Sequence, residues 1–252
     1  MFIGRTKELE ELQKKYDSTN FETSVVYGRK RIGKTSLLQE FCADKEFIYY
    51  ICTEQNLMPQ LNGLAKEISN YFKDNSLLKQ PFSLEDLLLY VSKQHTHEKL
   101  VLVIDEFQNL VANDKSVLAS LEKSIYTILK NSDLLLILAS STIGFVENDF
   151  HATFPNIPML KLNQLSFYES LEYLSDYNNE DKIKIFSITG GVPYYMDIML
   201  PNKSFEKNIV NNLLNSYSEL FDEPRYILLQ ELRELSQYNG ILESIATRAY
   251  KG

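Results

Sequence analysis

The stretch VVYGRKRIGKTSLLQEF, residues 25–41, decides how this chain is read. Within it GRKRIGKT, from Gly28 to Thr35, fits G-x-x-x-x-G-K-[ST] at every fixed position. The short β-branched run TSVVY (23–27) precedes the motif and a helical pattern follows it, which is the strand–loop–helix context its mechanism requires. The glycines let the backbone wrap closely around phosphate oxygens, so that successive N–H groups and the start of the next helix face the negative charge. On this reading Gly28, Arg29, Lys30, Arg31, Ile32, Gly33, Lys34, Thr35 and Ser36 form a nucleotide-binding loop. Lys34 reaches the β- and γ-phosphates, and Thr35 offers its hydroxyl to Mg2+. The bland alternative is a chance glycine-rich turn, and the placement of the motif argues against it.

Working outward, EFIYYI (46–51), LVLVID (100–105) and LLLILA (134–139) are continuous apolar runs of strand length, as expected of strands buried on both faces of a parallel sheet, and MLKL (159–162) is a weaker fifth. Helical patterns cover TKELEELQKKY (6–16), with Leu9, Leu12 and Tyr16 on one face, and residues 57–73, 84–95 and 115–131. Strands alternating with helices imply a doubly wound α/β domain with right-handed crossovers. After about residue 165 the strand pattern stops, and the remaining segments are helical in period except for the sharp break TGGVP (189–193). The expected organisation is a sheet domain over 1–165, a helical lid over 166–220 and a further helical segment over 221–252.

Two more stretches carry chemistry. KLVLVIDEFQNL (99–110) is an apolar strand ending in Asp105, which places a carboxylate at the C-terminal edge of the sheet, where open α/β sheets bind ligands. Asp105 would hold Mg2+ with Thr35, and Glu106 would polarise an attacking water. An acidic strand-to-loop turn is the plain alternative, outweighed by the phosphate loop beside it. LLLILASSTIGF (134–145) runs a buried strand into Ser140, Ser141 and Thr142. A hydroxyl there would sense the γ-phosphate or orient the water, Ser141 being the catalytic candidate; the sequence leaves open which of the three faces the nucleotide, and the same hydroxyls would also cap a short helix.

With these pieces placed, the chain resembles the archaeal-type ATPase family in the STAND branch of the AAA+-related P-loop NTPases. The resemblance runs through FIGRTKELEEL, VVYGRKRIGKTSLL, LVIDEFQNL, LLLILASST, TGGVPYYM and LFDEPRYILLQELREL, nearly the whole sequence. It implies an α/β P-loop NTPase with a five-stranded parallel sheet of order 5-1-4-3-2 flanked by helices, a helical lid and the start of a winged helix over 221–252. It implies ATP or ADP with Mg2+ as ligands. It also implies that Phe2, Ile3, Gly4 and Arg5 lie beside the adenine, with Gly191 and Pro193 at the lid side of the same pocket. A GGVP break needs no ligand, since it is also what a helix-ending turn looks like.

Two departures from that family pattern bear on mechanism. Relatives often carry a glycine-arginine-arginine stretch after the third chemical strand, whereas here no arginine stands between Arg31 and Arg225. An arginine that stabilises a transferring phosphoryl group is worth roughly 10³–10⁵ in rate. Lys161, Arg225 or a partner would have to supply it, so hydrolysis by this chain is expected to be slow. The ending YNGILESIATRAYKG resembles only the opening helices of a winged helix, so the DNA-directed activity of longer relatives is not expected of this chain alone.

Composition sets the outer bounds. At 252 residues with 44% hydrophobic and 24% charged residues, the chain can bury a full core and does not read as disordered. A net charge of −8 argues against a broad basic surface for nucleic acid. No apolar run reaches the roughly 18–20 residues that a membrane-spanning helix needs. The expectation is a cytoplasmic protein whose partner is another protein or a second copy of itself. Cys42 and Cys52 have no metal-ligand spacing and read as reduced, buried side chains. His95, His97 and His151 lack a third ligand or a nucleophile and read as surface residues, Tyr194 and Tyr195 as packing, and FIYYI as core. Two function classes follow: an ATP-driven switch, and a nucleotide-loaded binding module with negligible turnover.

Overall fold

Alternation along the apolar runs sorts their side chains onto two faces, and both faces are covered. The computed structural model describes residues 2–79, 82–94, 96, 98–112, 114–231, 240–241, 243–245 and 247. Five parallel strands, β1 (Glu22–Tyr27), β2 (Phe47–Ile51), β3 (Leu100–Asp105), β4 (Leu134–Ser140) and β5 (Met159–Lys161), pair in the order β2-β3-β4-β1-β5. Read from the other edge this is 5-1-4-3-2. In β3, Leu100, Leu102 and Ile104 enter one core with α3 (Leu57–Phe72), α4 (Leu84–Lys93) and the helical segment after β3, while Val101 and Val103 enter a second core with α1 (Thr6–Tyr16) and α2 (Lys34–Cys42). Every residue of β3 and β4 is buried, which is why these strands read as unbroken apolar runs.

The edge strand β2 departs from that pattern. Phe47 and Ile51 are exposed, because β2 pairs only with β3 and lacks a neighbour on its other side. The helix expected over 115–131 is also interrupted. After α5 (Gln108–Val111), α6 (Ser116–Lys123) gives way to a π-helical turn over Ser124–Ile128. There the Ser124 hydroxyl donates to the Ser120 carbonyl and the Thr127 hydroxyl to that of Lys123, side-chain bonds that compete with the regular ladder.

Beyond β4 a π-helical turn (Phe145–Phe150) and α7 (His151–Thr153) lead to β5, and the chain then becomes helical: α8 (Phe167–Tyr173), α9 (Asn179–Thr189), α10 (Pro193–Asp197), α11 (Phe205–Ile209) and α12 (Glu223–Glu231). Ser166, Asn178 and Ser204 cap α8, α9 and α11 by accepting from the backbone N–H three residues on. Leu165, Leu174, Ile185, Met196 and Met199 form a separate small core. Helix α9 ends at Gly190 in the left-handed conformation, and Pro193 opens α10 at its first turn. Cys42 and Cys52 are buried and unpaired, and burial pushes both thiols up to about 12. Residues 232–239, 242, 246 and 248–252 of the segment expected to begin a winged helix, together with His95 and His97, lie outside the described residues.

Candidate functional site

Strand register brings three chemical segments to one edge of the sheet. Tyr27 is level with Ser140 and Ile51 with Asp105, so the loop after β1, the carboxylates after β3 and the hydroxyls after β4 leave the sheet side by side. Two main-chain bonds tie these exits together: Gly28 N–H donates to the Ser140 carbonyl (3.2 Å), and Phe107 N–H to the Ala139 carbonyl (2.9 Å).

The loop itself is held from both sides. Gly28 has φ 153°, and a Cβ there would stand 2.4 Å from the Leu162 carbonyl oxygen, so no other residue fits. Arg31 adopts φ 70°, a conformation that costs a non-glycine residue energy and persists only where the surroundings fix it. One such restraint is Arg5, whose buried guanidinium donates to the Ile32 carbonyl (3.0 Å) and to the Asn163 carbonyl (2.6 Å). Lys34 lies within the arc of the loop, its ammonium donating to the carbonyls of Gly28 (2.9 Å) and Arg29 (3.0 Å). Burial lowers its pKa, opposed by the nearby carboxylates of Glu106 and Asp105. A poorly hydrated cation surrounded by turned backbone is the charge arrangement that favours an anion.

Next to Lys34, the Thr35 hydroxyl donates to Asp105 Oδ2 (2.9 Å), and so does the Tyr49 hydroxyl (2.7 Å); Asp105 Oδ1 accepts from the Glu106 N–H (2.8 Å). Asp105 is 1% exposed, and its oxygens are fixed in direction by these three donors. Desolvation and the Asp105 charge together push the Tyr49 phenol far up, so it stays a donor. Glu106 sits at φ 53°, a second strained non-glycine residue at this edge. Its Oε2 accepts from the Ser141 hydroxyl (2.6 Å) and from the Gln108 amide, which also reaches Ser141 Oγ (3.2 Å). Both bonds fall on one oxygen, and Glu106 lines the cavity.

That cavity, of about 230 Å³, opens between the loop and the helical segment. Phe2, Ile3, Arg5, residues 30–36, Glu106 and Pro193, all of them candidates from the sequence, line it. Gly28 and Arg29 form the loop's far side, Asp105 and Ser141 stand behind Thr35 and Glu106, and Gly4 turns the chain at φ 72°. Gly191 is outside the lining: a Cβ there would meet the Leu165 carbonyl oxygen at 2.1 Å, so the residue serves close backbone packing in the helical segment. Lys161 pairs with Glu147 (2.6 Å) and Arg225 is exposed; neither lines the cavity.

Five side chains escaped the sequence reading. Tyr173, Tyr194 and Asp197 line the cavity from α8 and α10. Gln108 stands two residues after Glu106 within DEFQ, a spacing that could have raised it. Tyr49 was taken for core, yet strand alternation turns it toward α2 and Asp105 while Ile48 and Tyr50 face the other core.

A family model for ATPase domains found predominantly in Archaea matches residues 2–199. The chain belongs to this family. An uncharacterised protein of Methanocaldococcus jannaschii is 29% identical over 252 residues, 98% of this chain; the chain spans about half the length of that relative, 54%. Among solved structures, a Walker-type ATPase of Pyrococcus abyssi superposes with a TM-score of 0.61 at 16% identity, over 99% of this chain and 77% of that one. The Orc1 protein of Aeropyrum pernix, solved in complex with DNA, superposes at 0.53 and 15% identity, over 96% and 66%. At these identities the two structures speak for the P-loop ATPase fold. Among the described residues no helix is long and apolar enough to cross a membrane.

Proposed function

We propose that the chain binds Mg·ATP in this cavity, hydrolyses it slowly, and uses the difference between its nucleotide states as a conformational switch. The observation that carries the proposal is the convergence at one cavity of a buried lysine in a glycine loop, a Thr–Asp pair and a hydrogen-bonded glutamate. Loop N–H groups and Lys34 would hold the β- and γ-phosphates. Thr35 and Asp105 are hard oxygen donors of the kind Mg2+ takes, and Tyr49 keeps the Asp105 carboxylate in place for it. The ion would neutralise charge on the phosphate oxygens. Glu106 Oε1 takes the proton of the attacking water as the new oxygen–phosphorus bond forms, and ADP leaves with the electrons of the bond that breaks. Ser141 and Gln108 hold that glutamate in a single orientation. Phe2, Ile3 and Pro193 offer apolar surface to the base.

Slow turnover follows from the cations available. Neither Lys161 nor Arg225 lines the cavity, and both arginines that do are engaged: Arg5 with the Ile32 and Asn163 carbonyls and Glu8, and Arg31 with Glu223. The STAND reading, in which lid and winged helix move with nucleotide state, fits this arrangement, and the partner would be a protein or a second copy rather than DNA, given the acidic surface. The test is to denature purified protein, identify any released nucleotide, and follow added Mg·ATP in single turnover. Bound adenine nucleotide or measurable cleavage of ATP is expected. A protein that neither carries nor binds adenine nucleotide would overturn the proposal.

A further inference from the structure

The phosphate loop is joined to α12 by an ion pair whose carboxylate is buried. Arg31 Nη1 lies 2.6 Å from Glu223 Oε2, and the other oxygen of Glu223 accepts from the Tyr195 hydroxyl at 2.7 Å. Glu223 is 7% exposed and opens α12, while Arg31 lines the cavity at its strained position in the loop. The Arg31 guanidinium also lies over the Tyr194 ring, 4.5 Å from its centre, and the Tyr194 hydroxyl donates to Glu219. Two consecutive tyrosines of α10 thus hold two acids four residues apart, Glu219 in the turn before α12 and Glu223 at its start, and the same arginine touches one tyrosine and one acid. The backbone is in contact at the same place, with Tyr194 N–H directed at the Arg31 carbonyl (3.5 Å).

We infer that Arg31 exchanges partners, from Glu223 to the nucleotide phosphates, and that this exchange carries nucleotide state to the segment 219–231. The inference rests on the nucleotide reading above. A guanidinium in a phosphate-binding loop is drawn to a polyphosphate, which it can grip bidentately. A carboxylate as buried as Glu223 tolerates its charge only beside a counter-ion; once Arg31 turns away, Glu223 must reach water, and α12 must shift to let it. Binding is therefore opposed by the pair, and by linkage any ligand that draws 219–231 away strengthens nucleotide binding by the same factor.

The test combines affinity for Mg·ADP and for a non-hydrolysable Mg·ATP analogue with amide hydrogen exchange over 219–231. In the wild type, saturating analogue should raise exchange in that segment. Glu223→Gln keeps an acceptor for Tyr195 but removes the charge; it should bind the analogue about tenfold more tightly, and its exchange should be high with or without nucleotide. In an Arg31→Ala background, the same change should leave affinity unaltered. Tyr195→Phe, a gentler change, should move affinity in the same direction by less and keeps the test alive if Glu223→Gln folds poorly. Unchanged affinity and unchanged exchange in both variants, or weaker binding in Glu223→Gln, would overturn the exchange of partners while leaving the nucleotide site standing. Failure of the wild type itself to bind nucleotide would instead remove the reading beneath it.

Discussion

The sheet edge on one side of the cavity and the helical segment on the other are held by different forces. Gly28, Asp105, Glu106 and Ser141 are placed by strand register and by two apolar cores that bury every residue of β3 and β4. Moving any of them means breaking main-chain ladders. Across the cavity, α8 to α11 pack around the small core of Leu174, Ile185 and Met196, and their ties to the loop are mainly side-chain contacts among Arg31, Tyr194, Tyr195, Glu219 and Glu223, with one long main-chain bond from the Tyr194 N–H to the Arg31 carbonyl. Such contacts can be exchanged one at a time. The proposed nucleotide-driven switch would need a rigid half that sets chemical geometry and a half that moves against it.

The sharpest way to break the comparison is to remove the charge at the centre of the rigid half. Lys34→Ala should weaken nucleotide binding about a hundredfold or more, as expected when one partner of a buried charged contact is lost, without unfolding the sheet. Retained tight binding, measured by titration calorimetry, would sink the assignment of the loop. Stability separates the halves next. Leu102→Ala, deep in β3, should cost about 2–5 kcal/mol and lower the main melting transition. Leu174→Ala should chiefly raise hydrogen exchange in 166–214; an equal loss over the sheet would mean that the halves unfold as one.

How far the sequence alone reaches follows the same division. Strand positions in the rigid half were legible because strands buried on both faces leave continuous apolar runs, and the loop at the candidate site was legible because its glycines, lysine and threonine stand at the spacing that phosphate binding would demand. The strand order came from family resemblance rather than from periodicity. Tyr49 was lost because an edge strand's apolar run hides which of its residues turn toward the site. Gly191 was placed at the pocket by family resemblance, and a glycine two residues before a proline reads the same whether it meets a ligand or the Leu165 carbonyl. The Arg31–Glu223 pair joins positions far apart in the chain, and no local pattern announces it.

Smaller effects sharpen the picture within the rigid half. Ser141→Ala removes one of two hydrogen bonds on Glu106 Oε2 and should slow turnover roughly tenfold with nucleotide affinity unchanged. A loss of affinity instead would make Ser141 a binding residue. The smallest effect concerns pH. Lys34 titrates below the ordinary 10.5 because burial disfavours its charge, and phosphates would raise it again. As pH rises through its lowered value, the free protein gives up this proton; binding should then take one up, and affinity should fall, in a window ending near the raised value of the complex. Calorimetry in buffers of different ionisation enthalpy would detect the proton, and a pH-independent affinity there would contradict the burial argument.

The measurement that bears most directly on the central claim is single-turnover cleavage of Mg·ATP by wild type and Glu106→Gln at equal nucleotide occupancy. The account expects the variant to bind ATP as tightly as wild type and to cleave it about 10²–10⁴-fold more slowly, the usual contribution of a general base. Equal cleavage rates in the two proteins would show that Glu106 is not the base and would contradict the mechanism.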